Sequence, residues 1–112
     1  GAGLGHRFLK HLQRTRLLLH LIDVAPIDES DVVSSANALL KELEAYDSTM
    51  LSKPRFLVIN KIDLVDKQTL AEVESSLREK LNWQGEIYSV SAVSGEGLDT
   101  LTYAIMKQLE EK

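Results

Sequence analysis

The sequence predicts an α/β fold, a three-stranded parallel sheet with four flanking helices. Three observations predict it. Short apolar runs alternate with stretches whose apolar residues recur every three to four positions. Two of the runs show little polar alternation, as strands covered on both faces do. Strands separated by helical segments imply parallel pairing through right-handed crossovers.

The elements follow in order. Leu4, Phe8 and Leu12 recur at helical spacing, with Leu9 beside them, and predict a first helix near residues 4–15. Arg16 to Asp23, RLLLHLID, is short, apolar and sharply bounded, which reads as a buried strand ended by Ala25-Pro26. Val32, Val33, Ala36, Leu39, Leu40 and Leu43 mark one face of a second helix, with Asp28 or Ser30 as its cap. Residues 47–54 read as a connection. Phe56 to Ile59 is a second buried strand. Leu70, Val73, Leu77 and Leu81 mark a third helix, closed by Asn82 and Gly85. Glu86 to Val90 is a shorter third strand. Leu98, Leu101, Ala104, Ile105 and Leu109 mark the last helix.

Composition narrows the function classes. The chain has 112 residues, 44% of them hydrophobic and 27% charged, which suits one small globular unit with a thin core. A net charge of −4 makes no global case for nucleic acid. The absence of cysteine excludes a disulfide frame and a thiolate metal site. The run Leu17 to Ile22, interrupted by His20, is too short to span a bilayer, and no signal-peptide pattern opens the chain. A cytoplasmic protein that does not engage membranes is the expectation.

Ligands of open parallel sheets bind outside the carboxyl ends of the strands. That topology nominates the residues just after Ile22, Ile59 and Val90. Two of these places carry distinctive sequences, Asn60-Lys61-Ile62-Asp63 and Ser91-Ala92-Val93-Ser94-Gly95-Glu96-Gly97. Guanine offers N7 and O6 as acceptors and N1–H and N2–H₂ as donors. The Asp63 carboxylate can accept from both donors, which adenine cannot supply. The Asn60 amide can donate to N7 and tie neighbouring loops together. Lys61 can lay its methylene stem along the purine face while its ammonium stays wet. The Ser91 hydroxyl can hold the Asp63 carboxylate. Backbone N–H groups near Ala92, with Val93 beside it, can meet O6. A turn-and-cap role for Asn60 and Asp63 would explain neither Lys61 nor the matching SA pair.

These residues carry a family resemblance. NKID after one buried strand and SAVSGEG after the next resemble the fourth and fifth G motifs of translation-factor-class GTPases. GAGLGHRFLKHLQRTRLLLHLID, the ELEAYD helix end, KPRFLVINKIDLVD and SAVSGEGLDTL resemble the bacterial Obg family, over essentially all 112 residues. The resemblance implies a partial P-loop GTPase (Ras-like) fold, the C-terminal half of a G domain. The phosphate-binding loop, the first switch threonine and the DxxG motif would then lie upstream. It implies a parent that binds GTP and GDP with Mg²⁺, hydrolyses GTP, and acts with the ribosome or ribosomal RNA in large-subunit assembly. No catalytic residue or metal ligand is expected within these residues, and the chain alone is expected not to hydrolyse GTP. Its first strand is expected to leave an open sheet edge that invites self-association.

Other signals point less sharply. His6, Arg7, Lys10, His11 and Arg14, with Arg16 beyond, form a basic first helix. It reads as a solvated face or as an RNA- or protein-interaction module needing no nucleotide. Gly1, Gly3 and Gly5 are not GxxxxGK[ST], and no strand precedes them. His6 and His11, five apart, do not share a helical face. His20, among leucines, reads as a satisfied core histidine. Asp23 reads as a strand-end turn residue or as a nucleotide contact.

Overall fold

The computed structural model describes residues 5–26 and 31–110. Leu4, Gly1 and Gly3 of the first expected helix and its approach, and the caps expected at Asp28 and Ser30, lie outside them, as does the side chain of His6.

The elements run α1 (His6–Leu12), β1 (Leu18–Asp23), α2 (Val32–Tyr46), a 3-10 helix (Ser48–Ser52), β2 (Arg55–Asn60), a 3-10 helix (Ile62–Leu64), α3 (Lys67–Lys80), β3 (Ile87–Ser89) and α4 (Leu98–Glu110). The described residues form one three-stranded sheet in the order β1-β2-β3, parallel throughout. The register sets Leu19 against Phe56, Leu21 against Val58 and Asp23 against Asn60, then Ile59 against Ser89.

The sheet separates two apolar clusters. On one face Ile22, Leu57 and Ile59 pack with Ala36 of α2 and Leu77 of α3. On the other Phe56, Val58 and Val90 pack with Leu101 of α4. A third cluster joins Leu9 of α1, Leu43 of α2 and Met50 of the 3-10 helix. The expectation of strands covered on both faces holds for β2, where Phe56, Leu57, Val58 and Ile59 are all buried. It fails for β1, whose residues alternate: Leu18, His20 and Ile22 are buried, but Leu19 and Leu21 are 41% and 66% exposed. Their register partners Phe56 and Val58 belong to the α4 cluster. Leu19 and Leu21 therefore face that side, and α4 covers only the β2–β3 part of it.

Local chemistry explains the remaining boundaries. Asp31 caps α2, its side chain accepting from the Ser34 N–H at 2.8 Å; it follows directly on the residues where the cap was expected. Asp66 caps α3 in the same way through the Thr69 N–H at 2.7 Å. Asn82, at φ 52, supplies the left-handed residue that closes α3. Residues 48–52 form a 3-10 helix rather than a plain connection, opened by Asp47, which accepts from the Thr49 N–H at 3.0 Å. The first helix is shorter than expected, and it buries Leu9 while leaving Phe8 exposed. Beyond its end, the Lys53 ammonium donates to the carbonyls of Gln13 and Thr15, both at 2.9 Å.

Candidate site at the carboxyl ends of the strands

β2 is the rigid part of the site. Leu57, Val58 and Ile59 are fully buried. At about 1.5–3 kcal/mol for each large apolar side chain taken from water, they anchor the strand that ends in Asn60. At that end the chain turns sharply, because Lys61 takes a left-handed conformation, φ 69 and ψ 31. Such a backbone is uncommon for a residue with a Cβ. The turn is held by the Asn60 side chain, whose Oδ1 accepts from the Lys61 N–H at 2.8 Å. It starts the short 3-10 helix that carries Asp63.

The loop after β3 comes to meet it. The Val90 N–H donates to the Ile59 carbonyl at 2.7 Å, and the Ile62 N–H donates to the Val90 carbonyl at 3.3 Å. Ser91 is fully buried, and its hydroxyl is used twice. It donates to Asp63 Oδ1 at 2.8 Å and accepts from the Ser94 N–H at 3.1 Å. Its backbone closes the loop, with the Ser91 N–H on the Glu96 carbonyl at 2.9 Å and the Gly95 N–H on the Ser91 carbonyl at 2.8 Å. The Ala92 N–H donates to Asn60 Oδ1 at 3.1 Å. Asn60 thus joins both loops through one oxygen.

All six residues nominated from the sequence, Asn60, Lys61, Asp63, Ser91, Ala92 and Val93, come together here. Two details go beyond the expectations. The Ala92 N–H is turned inward to Asn60, whereas the N–H of the exposed Val93 makes no hydrogen bond among the described residues. Asp23 both turns the chain and reaches the site. Its Oδ1 accepts from the Ala25 N–H at 2.8 Å, and its Oδ2 lies 2.7 Å from Lys61 Nζ. Its position as the last residue of an apolar run, on the ligand side of the sheet, was the signal that could have assigned it.

What remains after these internal bonds defines what the cluster can bind. Asn60 keeps its Nδ2 as a donor, Val93 its N–H, and Asp63 its second oxygen as an acceptor. Together they offer two donors and one charged acceptor. No group of three or more His, Asp or Glu side chains is placed to hold a metal ion among the described residues. Among the described residues, no helix is long and apolar enough to cross a membrane.

Elsewhere, Arg7, Lys10 and His11 of α1 and Arg14 of the turn after it line one shallow groove. His20 is buried in β1 with its Nδ1 unpartnered, so it is a core histidine but not a satisfied one. A scan against protein-family models matched none to this chain.

Proposed function

We propose that this cluster recognises the guanine base of GTP and GDP, and that the chain is the base-recognising half of an Obg-type, Ras-like G domain. The observation that carries the reading is the hydrogen-bonding capacity left over once the internal bonds are made. Asn60 Nδ2 suits N7, the Val93 N–H suits O6, and the Asp63 carboxylate suits N1–H and N2–H₂ together. Adenine would set its own amino group against the Val93 donor and would leave Asp63 without a partner, an arrangement that strongly favours guanine. The Ser91 hydroxyl fixes the Asp63 carboxylate before a ligand arrives, which lowers the ordering cost of binding. Lys61 offers its methylene stem to the ring face.

On this reading the parent protein splits GTP by attack of water on the γ-phosphate, chemistry that depends on positioning and charge stabilisation. The bound Mg²⁺ would neutralise phosphate charge. The residues of this chain address the base, and none is assigned a catalytic step. The ribosome or its RNA is the proposed partner of the parent. A second reading, an RNA- or protein-binding module, has one observation in its favour, the groove shared by four basic side chains of α1 and the turn after it.

A few bonds to the base, each contributing about 1–3 kcal/mol, place the affinity of the chain near roughly millimolar or weaker. NMR titration reads that range. GMP should shift Asn60, Asp63 and Val93, and AMP should not. The decisive variant is Asp63→Asn. Its amide can accept from N1–H and donate to the carbonyl that xanthine carries in place of the guanine amino group. Against guanine it sets a donor against a donor. The loss, about 3–5 kcal/mol, is comparable with the whole of a millimolar affinity, about 4 kcal/mol. Asp63→Asn should therefore lose GMP and gain xanthosine monophosphate. Equal weakening of both nucleotides would reduce Asp63 to a structural cap and remove the reading.

A further inference from the structure

Asp23 and Asn60 are register partners at the ends of β1 and β2. Asp23 accepts from the Ala25 N–H at 2.8 Å through Oδ1, so the turn that leaves β1 fixes the direction of its carboxylate. The other oxygen takes the Lys61 ammonium at 2.7 Å. Lys61 reaches it because its left-handed backbone, φ 69, diverts the side chain from the line of β2. Its stem must therefore cross the end of the sheet from β2 to β1. Both side chains are more than a third exposed, 36% and 37%, so solvent screens the pair and it adds little to folding stability. Its effect is on order. A free lysine stem samples many rotamers, and this one is tied at both ends.

We infer that Asp23 is a positioning residue for base recognition: it pins the Lys61 ammonium over β1, so that the lysine stem presents a fixed apolar strip beneath the base. The inference rests on the guanine reading above. It assigns Asp23 no contact with the nucleotide. Asp23 acts through Lys61, and the choice of base rests with Asp63 and the Val93 N–H.

A double-mutant cycle on GMP affinity, followed by NMR titration of the full chain, tests this. Asp23→Asn should weaken GMP binding about fivefold, the upper range for an exposed pair. Lys61→Met keeps an apolar stem and removes the charge. In that background Asp23→Asn should cause no further loss. Asp23→Glu, which keeps the carboxylate, should recover most of the affinity. The preference for GMP over AMP should be unchanged in Asp23→Asn, because Asp63 is intact.

Three results would overturn the inference while leaving the guanine reading in place. One is the same loss from Asp23→Asn with or without the Lys61 ammonium. Another is an Asp23→Asn variant that loses thermal stability but binds GMP as the wild type does, which would make Asp23 a turn residue only. The third is a changed base preference in Asp23→Asn. A wild-type chain that does not bind GMP at all overturns the guanine reading, and this inference with it.

Discussion

His20 shows how one side chain couples a strand to the solvent. It is buried in β1, and its pKa is lowered from 6.5 to about 4, first by that burial and second by the positive charge of Arg55. Arg55 itself is only partly satisfied: its guanidinium lies 4.7 Å from the Trp83 ring centroid, while its Nε and Nη1 are buried without partners. Between pH 6.5 and about 4 the unfolded chain takes up a proton on His20 that the folded chain refuses. Stability should therefore be full above pH 6.5 and fall as pH drops through that window, by up to about 3 kcal/mol from this residue. Urea unfolding at the two ends of the window, on the wild type and on His20→Leu, checks it. The variant should lose less stability on acidification, and matching pH dependences in the two proteins would remove His20 as the cause. The run of leucines around His20 made its burial legible. The missing partner at Nδ1 was not, because that depends on which elements lie over β1.

At the scale of elements, the loop into α4 depends on a close approach that spacing cannot show. Gly97, at φ 78, brings its Cα against β3, where an added Cβ would run into the Ser89 carbonyl. Its own carbonyl accepts from the Leu101 N–H at 3.1 Å and so opens α4. Gly95, at φ 88, has open space around it. Gly95→Ala should cost about 1–2 kcal/mol, for the left-handed backbone alone. Gly97→Ala should cost about 2–5 kcal/mol, because overpacking adds to the same backbone term. Denaturant midpoints of the two variants decide it, and equal losses would mean that the contact with β3 yields freely. The glycines of SGEG were visible in the sequence, but their inequality came from the close approach of Gly97 to the end of β3. Asp31 follows the same division: a cap was expected for α2 at Asp28 or Ser30, and the backbone sets it at Asp31.

At the scale of the whole molecule, β1 is an outer strand of the sheet among the described residues. The N–H groups of Leu18 and Val24 donate toward β2, to Pro54 and Asn60. Strand alternation then turns the N–H and C=O groups of Leu19 and Leu21 toward the open edge. Those two residues also expose their side chains, and Phe8, Leu12 and Leu43 line a groove beside them. An apolar edge with free polar backbone groups is a template for pairing with another strand. The chain should self-associate as its concentration rises toward millimolar, and Leu21→Lys should suppress this by placing a charge on the edge. Sedimentation velocity across that range reads it. A wild type that stays strictly monomeric would show that the edge is protected.

The sequence by itself determined the order of helices and strands, the parallel sheet, and the six residues that gather at its carboxyl end. These rest on short-range rules: the spacing of apolar residues, and the tendency of such sheets to present their strand ends to ligands. Only the tertiary structure decided how the hydrogen bonds are shared. It turned the Ala92 N–H inward and left that of Val93 free, because Asn60 Oδ1 lies within reach of both loops. It brought Asp23 to Lys61, because parallel register sets the ends of β1 and β2 side by side. It exposed one face of β1, because α4 extends over β2 and β3 only. Each of these depends on distances between residues far apart in the chain, and periodicity along the chain carries no record of them.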